Sequence, residues 1–80
     1  MTREEVNVIV QNIFIDIFDR DDINITDDMT ADSLEGWDSL YHVIIIGAIE
    51  KEFAVRFALG EIAELKNVGA IIDLILEKIR

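Results

Sequence analysis

Gly36-Trp37-Asp38-Ser39-Leu40, with the run Tyr41-His42-Val43-Ile44-Ile45-Ile46-Gly47-Ala48-Ile49-Glu50-Lys51-Glu52-Phe53 behind it, decides how this 80-residue chain folds. Asp38 is a good N-cap, because its carboxylate can accept from the amide donors that the first turn of a helix leaves free. Ser39 then falls on the first helical residue, its side chain outward beside those donors and the positive end of the helix dipole. A phosphate ester there is favoured by both. The helix runs from Ser39 to about Phe53 and is apolar nearly all round. At roughly 100° per residue, Ile45, Ile46, Ile49 and Phe53 share one arc, while Leu40, Val43, Ile44 and Gly47 share another on the opposite side. A domain of this size can easily bury only one of the two. The Ile45, Ile46, Ile49, Phe53 arc is assigned to the core, which leaves the Leu40, Val43, Ile44, Gly47 arc, on the side of Ser39, as an exposed patch for partners.

Upstream, Thr2-Arg3-Glu4-Glu5 reads as a capping box. Val6, Ile9, Val10, Ile13, Phe14 and Ile17 then recur at three and four residues, predicting a helix that ends near Phe18. From Asp19 to Trp37 the spacing is irregular, and Ile23, Ile25, Met29, Leu34 and Trp37 are scattered apolar anchors that pin a long ordered loop to the core. Downstream, Ala54 to Lys66 is ambiguous, with Leu59 to Leu65 the one plausible short helix. Asn67 caps a final helix whose buried stripe is Val68, Ile71, Ile72, Ile75 and Ile79, with Lys78 and Arg80 suiting its C-terminal end. With no proline and no alternating strand, the expected fold is all-α: a small four-helix bundle of three longer helices and one short one, as a single domain over residues 1–80.

Composition narrows the function. The net charge is −10, and eight of the seventeen acids lie between Asp19 and Asp38 with only Arg20 among them. Nucleic acid is repelled by such a surface, whereas basic protein surfaces are steered toward it. Self-repulsion at this charge makes a monomer the expectation. No window is apolar enough to span a bilayer, the N-terminal residues hold no apolar signal core, and the lack of cysteine fits a reducing cytoplasm.

Several chemistries can be weighed against the residues. A second Asp-Ser-Leu stands at Asp32-Ser33-Leu34, but Glu35 and Gly36 interrupt any helix after it, so Ser39 is the better acceptor. His42 shares a helix face with Ser39, and with Asp38 suggests a Ser-His-Asp hydrolase. The flanks Trp37 and Tyr41 are not those of a nucleophile elbow, and one helix supplies no oxyanion hole. Asp19, Asp21 and Asn24 faintly suggest a calcium loop, yet glycine is missing from its sixth position and Thr30 stands at its twelfth, so no metal is expected. Trp37 reads as a lid on the core.

Taken together, Gly36-x-Asp38-Ser39-Leu40 and its setting resemble the attachment site of the acyl carrier protein family. The resemblance covers nearly the whole chain: the amphipathic first helix, the acidic loop, Asp38-Ser39-Leu40, a helix closing at Glu50-Lys51-Glu52-Phe53 and a last helix opening at Asn67-Val68-Gly69. It implies a covalent 4′-phosphopantetheine arm on Ser39 that holds acyl or aminoacyl groups as thioesters, and no catalytic residue. It also implies partners: a phosphopantetheinyl transferase, and acyl-loading and acyl-processing enzymes with basic docking surfaces. These would meet Leu40, Val43, Ile44 and Gly47 with the flanking acids Glu35, Asp38 and Glu50. Fatty-acid carriers usually place acids along the second helix where this chain has Tyr41, His42, Ile44 and Lys51. With Trp37, and Arg56-Phe57 after the helix, that looks more like a discrete bacterial carrier of a dedicated pathway, polyketide-like, aminoacyl, or modifying cell-surface lipid or sugar. The alternatives are a peptidyl or aminoacyl carrier, and an unmodified helical adaptor that binds one partner through the same exposed face.

Overall fold

Thr2 opens the fold in the computed structural model, which describes residues 1–80. Its hydroxyl accepts from the Glu5 amide at 3.1 Å, and Glu5 Oε1 accepts from the Thr2 amide at 2.7 Å, closing the expected box at the head of α1, Arg3–Phe18. The Thr2 amide and hydroxyl hold the Glu5 carboxyl below its ordinary range. α1 stops at Asp19, which turns left-handed at φ 52° and returns its amide to Ile15. The chain continues through the acidic loop, a single 3₁₀ turn at Ala31–Ser33, α2 at Ser39–Phe53, the short α3 at Leu59–Ala63 and α4 at Val68–Ile79. This is the all-α bundle of three longer helices and one short one, with no strand.

α1 packs against both α2 and α4, and the three bury one cluster. Val6, Val10, Phe14, Ile45, Ile49, Ile71, Ile72, Ile75 and Val68 are its fully enclosed side chains. Phe53, assigned to the core arc of α2, is only half-buried against it. The short helix also ends at Ala63 rather than Leu65. Its last turn tightens, with the Leu65 amide donating to the Ile62 carbonyl at 3.2 Å, and Leu65 enters the core beyond the helix end. Phe57, in the ambiguous stretch, is buried as well.

The long loop is held by side chain and backbone alike. Ile23, Ile25, Leu34 and Trp37 are buried, and Met29 is partly so. Between the first two of these, the Gln11 amide works as a clamp: Oε1 accepts from the Ile25 amide at 2.8 Å while Nε2 donates to the Ile23 carbonyl. In its middle the loop completes α4. The Val68 amide donates to the Met29 carbonyl at 2.9 Å and the Gly69 amide to the Asp27 carbonyl at 2.8 Å. A Cβ on residue 69 would sit 3.0 Å from that carbonyl oxygen, closer than most real Cβ contacts, so a larger residue would press the two backbones apart here. Arg3 ties the same corner together, pairing with Asp27 on the loop and Asp73 on α4.

Candidate functional site

Gly36 sets the direction of the chain into the site. Its φ of +94° is costly for any residue with a Cβ, and it lets the backbone swing Trp37 inward and Asp38 to the surface. Trp37 is 5% exposed and meets Phe14 edge to face, with ring centroids 5.2 Å apart. Trp37 is therefore the lid that its sequence position suggests. Asp38 then caps α2, its Oδ1 accepting from the Tyr41 amide at 2.9 Å while its carbonyl takes the His42 amide at 2.8 Å. Ser39 and Leu40 contribute the first-turn amides that no protein group accepts. The Ser39 side chain is exposed at this open helix end.

Aromatic rings bracket Ser39 through the residues that follow it. Tyr41 stacks on Phe18 at 5.2 Å and 21°, and His42 stacks on Trp37 at 6.1 Å and 19°. Trp37 Nε1 also donates to His42 Nδ1 at 3.2 Å. Both neighbours are half-buried and pinned to rings from α1 or from the loop. The first turn of α2 is thereby stiffened without any side chain leaning on Ser39.

The same contacts dispose of a hydrolase. Asp38 serves the Tyr41 amide and His42 Nδ1 serves Trp37, so Asp38 does not orient the imidazole and Ser39 has no relay behind it. No cluster of three His, Asp or Glu side chains gathers for a metal ion. In the acidic loop Arg20 forks onto both carboxylate oxygens of Asp22, at 3.1 and 2.9 Å, and that bond holds the Asp22 carboxyl below its usual range. Ser33, the rival acceptor, has its hydroxyl turned back into its own 3₁₀ turn, accepting from the Thr30 amide at 3.1 Å.

Of the proposed partner face, Leu40 is 66% exposed, Val43 65% and Ile44 43%, with Gly47 open beside them. Glu35 and Asp38 are exposed above this stripe. Glu50 is placed differently: it is half-buried, and its Oε2 accepts from the Phe57 amide at 2.8 Å, fastening the segment after α2. The Tyr41 and His42 ring contacts escaped the sequence reading because they join residues on different elements. The aromatic content near Phe14, Phe18 and Trp37 was the one available signal.

Residues 8–75 match the family model of the phosphopantetheine attachment site. Among solved structures, the chain is similar to a holo acyl carrier protein from Geobacter metallireducens, determined in solution by NMR. The two are 38% identical with a TM-score of 0.86, over 91% of this chain and 84% of the other. Comparison with curated proteins gives no match.

Proposed function

The chain belongs to the phosphopantetheine attachment site family, and from that membership we propose that Ser39 bears its arm and that residues 1–80 work as one carrier domain. The cofactor of such a domain is a covalently attached 4′-phosphopantetheine, whose terminal thiol carries acyl groups as thioesters. The chain is accordingly a carrier and not an enzyme. The observation that carries the assignment to Ser39 is its exposure on the first residue of α2. Asp38 has already satisfied the inner amides there, and the outer ones face the position an ester phosphate would take.

The work of this chain's own residues is presentation and recognition. Gly36 and Trp37 fix the approach to α2, Asp38 keeps its first turn wound, and the Tyr41 and His42 ring contacts hold Ser39 at a constant height above the core. Leu40, Val43, Ile44 and Gly47 offer the apolar stripe along which a transferase or an acyl-processing enzyme docks, with Glu35 and Asp38 meeting basic residues of that partner. Glu50 lies at the lower edge of the stripe, with one carboxylate oxygen committed to Phe57. Lys51 and Arg56 line a groove with Gly47 toward the C-terminal part of α2, and neither pairs with an acid of this chain. A uniformly basic enzyme surface is therefore a poor match. A dedicated pathway in the cytoplasm, delivering an acyl or aminoacyl cargo from a monomeric carrier, fits this pattern better than housekeeping fatty-acid synthesis.

Incubation with a phosphopantetheinyl transferase and coenzyme A tests the assignment by intact mass. One arm is expected on the wild type and on Ser33→Ala, and none on Ser39→Ala. An arm that persists on Ser39→Ala would overturn it, and a native protein that always has its bare sequence mass would point to an unmodified adaptor.

A further inference from the structure

Beside Ser39 runs an open groove lined by Trp37, Asp38, Ser39, His42, Leu65 and Lys66, between the entrance of α2 and the segment leading into α4. We propose that this groove seats the phosphodiester end of the arm, with the Lys66 ammonium as its counter-charge and the His42 imidazole as a second donor. The proposal rests on Ser39 being the attachment residue and adds the residues that hold what is attached there.

Charge makes the first part of the case. The chain carries seven cations against seventeen acids, and Arg3, Arg20 and Lys78 are each paired with acids of the chain itself. Lys66 forms no such pair and is the one cation lining the groove. A phosphodiester on Ser39 adds a permanent negative charge directly after Asp38, at the end of the acid-rich run from Asp19 to Asp38. Opposite charges attract and like charges repel more strongly the less water lies between them. An unpaired ammonium in the groove therefore favours the anion resting there over staying in solvent.

Hydrogen bonding makes the second. Nδ1 of His42 accepts from Trp37, so the neutral ring carries its proton on Nε2 and can only donate from that side. The stack on Trp37 fixes the plane of the ring. The groove thus presents a donor from α2 and a cation from the approach to α4, while its one acid, Asp38, has Oδ1 engaged in capping. Trp37 and Leu65 add apolar edges that suit the geminal methyl groups next to the phosphate. The arm is then held at its root and free at its thiol.

The test uses the full holo-protein, prepared with transferase and coenzyme A, with intact mass confirming one arm before any spectrum is read. Attachment should shift the Lys66 side-chain methylene and His42 ring resonances relative to the unmodified protein. Lys66→Gln, at an exposed position, should move the ³¹P resonance toward that of the same phosphodiester in the urea-unfolded holo-protein, and Lys66→Arg should largely restore it. Raising the salt concentration should mimic Lys66→Gln. If the arm is attached yet the Lys66 and His42 resonances are the same in both forms and ³¹P ignores Lys66→Gln, the seat does not exist although Ser39 remains the site. If no arm attaches, the Ser39 assignment has failed and the seat falls with it.

Discussion

Asp32-Ser33-Leu34 and Asp38-Ser39-Leu40 are the same three residues in the same order, and the molecule uses them in opposite ways. In the first, Leu34 is buried at 8% exposure and Ser33 folds its hydroxyl onto the Thr30 amide, so the triplet closes a turn of the loop onto the core. In the second, Leu40 stands in solvent, Ser39 is outward, and Asp38 rather than serine does the capping. Gly36 separates the two outcomes, because its positive φ reverses which side of the chain faces inward. A tripeptide motif specifies a site only through the backbone that delivers it.

The widest gap between the triplets is expected at the leucines. Leu34→Ala removes a buried side chain and should cost about 2–3 kcal/mol in chemical denaturation, whereas Leu40→Ala should stay within about 0.5 kcal/mol while weakening transfer to a partner. Equal costs would mean that the two faces have been misassigned. Gly36→Ala comes next, at about 1–2 kcal/mol for a left-handed alanine. Its Cβ would meet the Phe18 ring at an ordinary 3.6 Å, so strain and not crowding is the cause, and Gly36→Asn should cost less than Gly36→Ala. Asp38→Ala should lose about 1 kcal/mol of helix capping, and Asp32→Ala, whose carboxylate caps nothing, close to none. Exchange rates of the Tyr41 amide check the first of these directly.

Acidification has the smallest effect and acts elsewhere. Glu5 is held below its usual pKa first by the Thr2 amide, and Glu61 first by the Ala58 amide and then by Lys78. A lowered folded-state pKa contributes stability that is complete above the unfolded value, ~4.3, and is lost as pH falls through the folded value. The heads of α1 and α3 should therefore fray below that pH, as followed by amide chemical shifts, and Glu5→Gln should remove the α1 part of the response.

The three longer helices were legible because their signals are local: Thr2, Asp38 and Asn67 are caps, and each accepts the amide expected of it. The division of α2 into a buried and an exposed face followed from the size of the chain, and Ile45, Ile46 and Ile49 against Leu40, Val43 and Ile44 bear it out. Phe53 fell short because it lies at the last turn, where the bundle no longer surrounds the helix. Distant contacts were not legible. Gln11 clamping the loop, Glu50 turning in to the Phe57 amide, and Lys66 sharing a groove with Ser39 each join residues whose proximity exists only after the helices pack.

The backbone between Asp27 and Met29 is a docking template for the start of α4, since it supplies the acceptors that Val68 and Gly69 would otherwise lack. What looks in the sequence like tolerant connecting chain, the natural place for an insertion, is thus, like the stretch that Gln11 clamps, a part of the loop whose length is fixed. It also couples the two segments thermally: the last helix cannot unravel from its head, nor this part of the loop lift away, except as one cooperative opening.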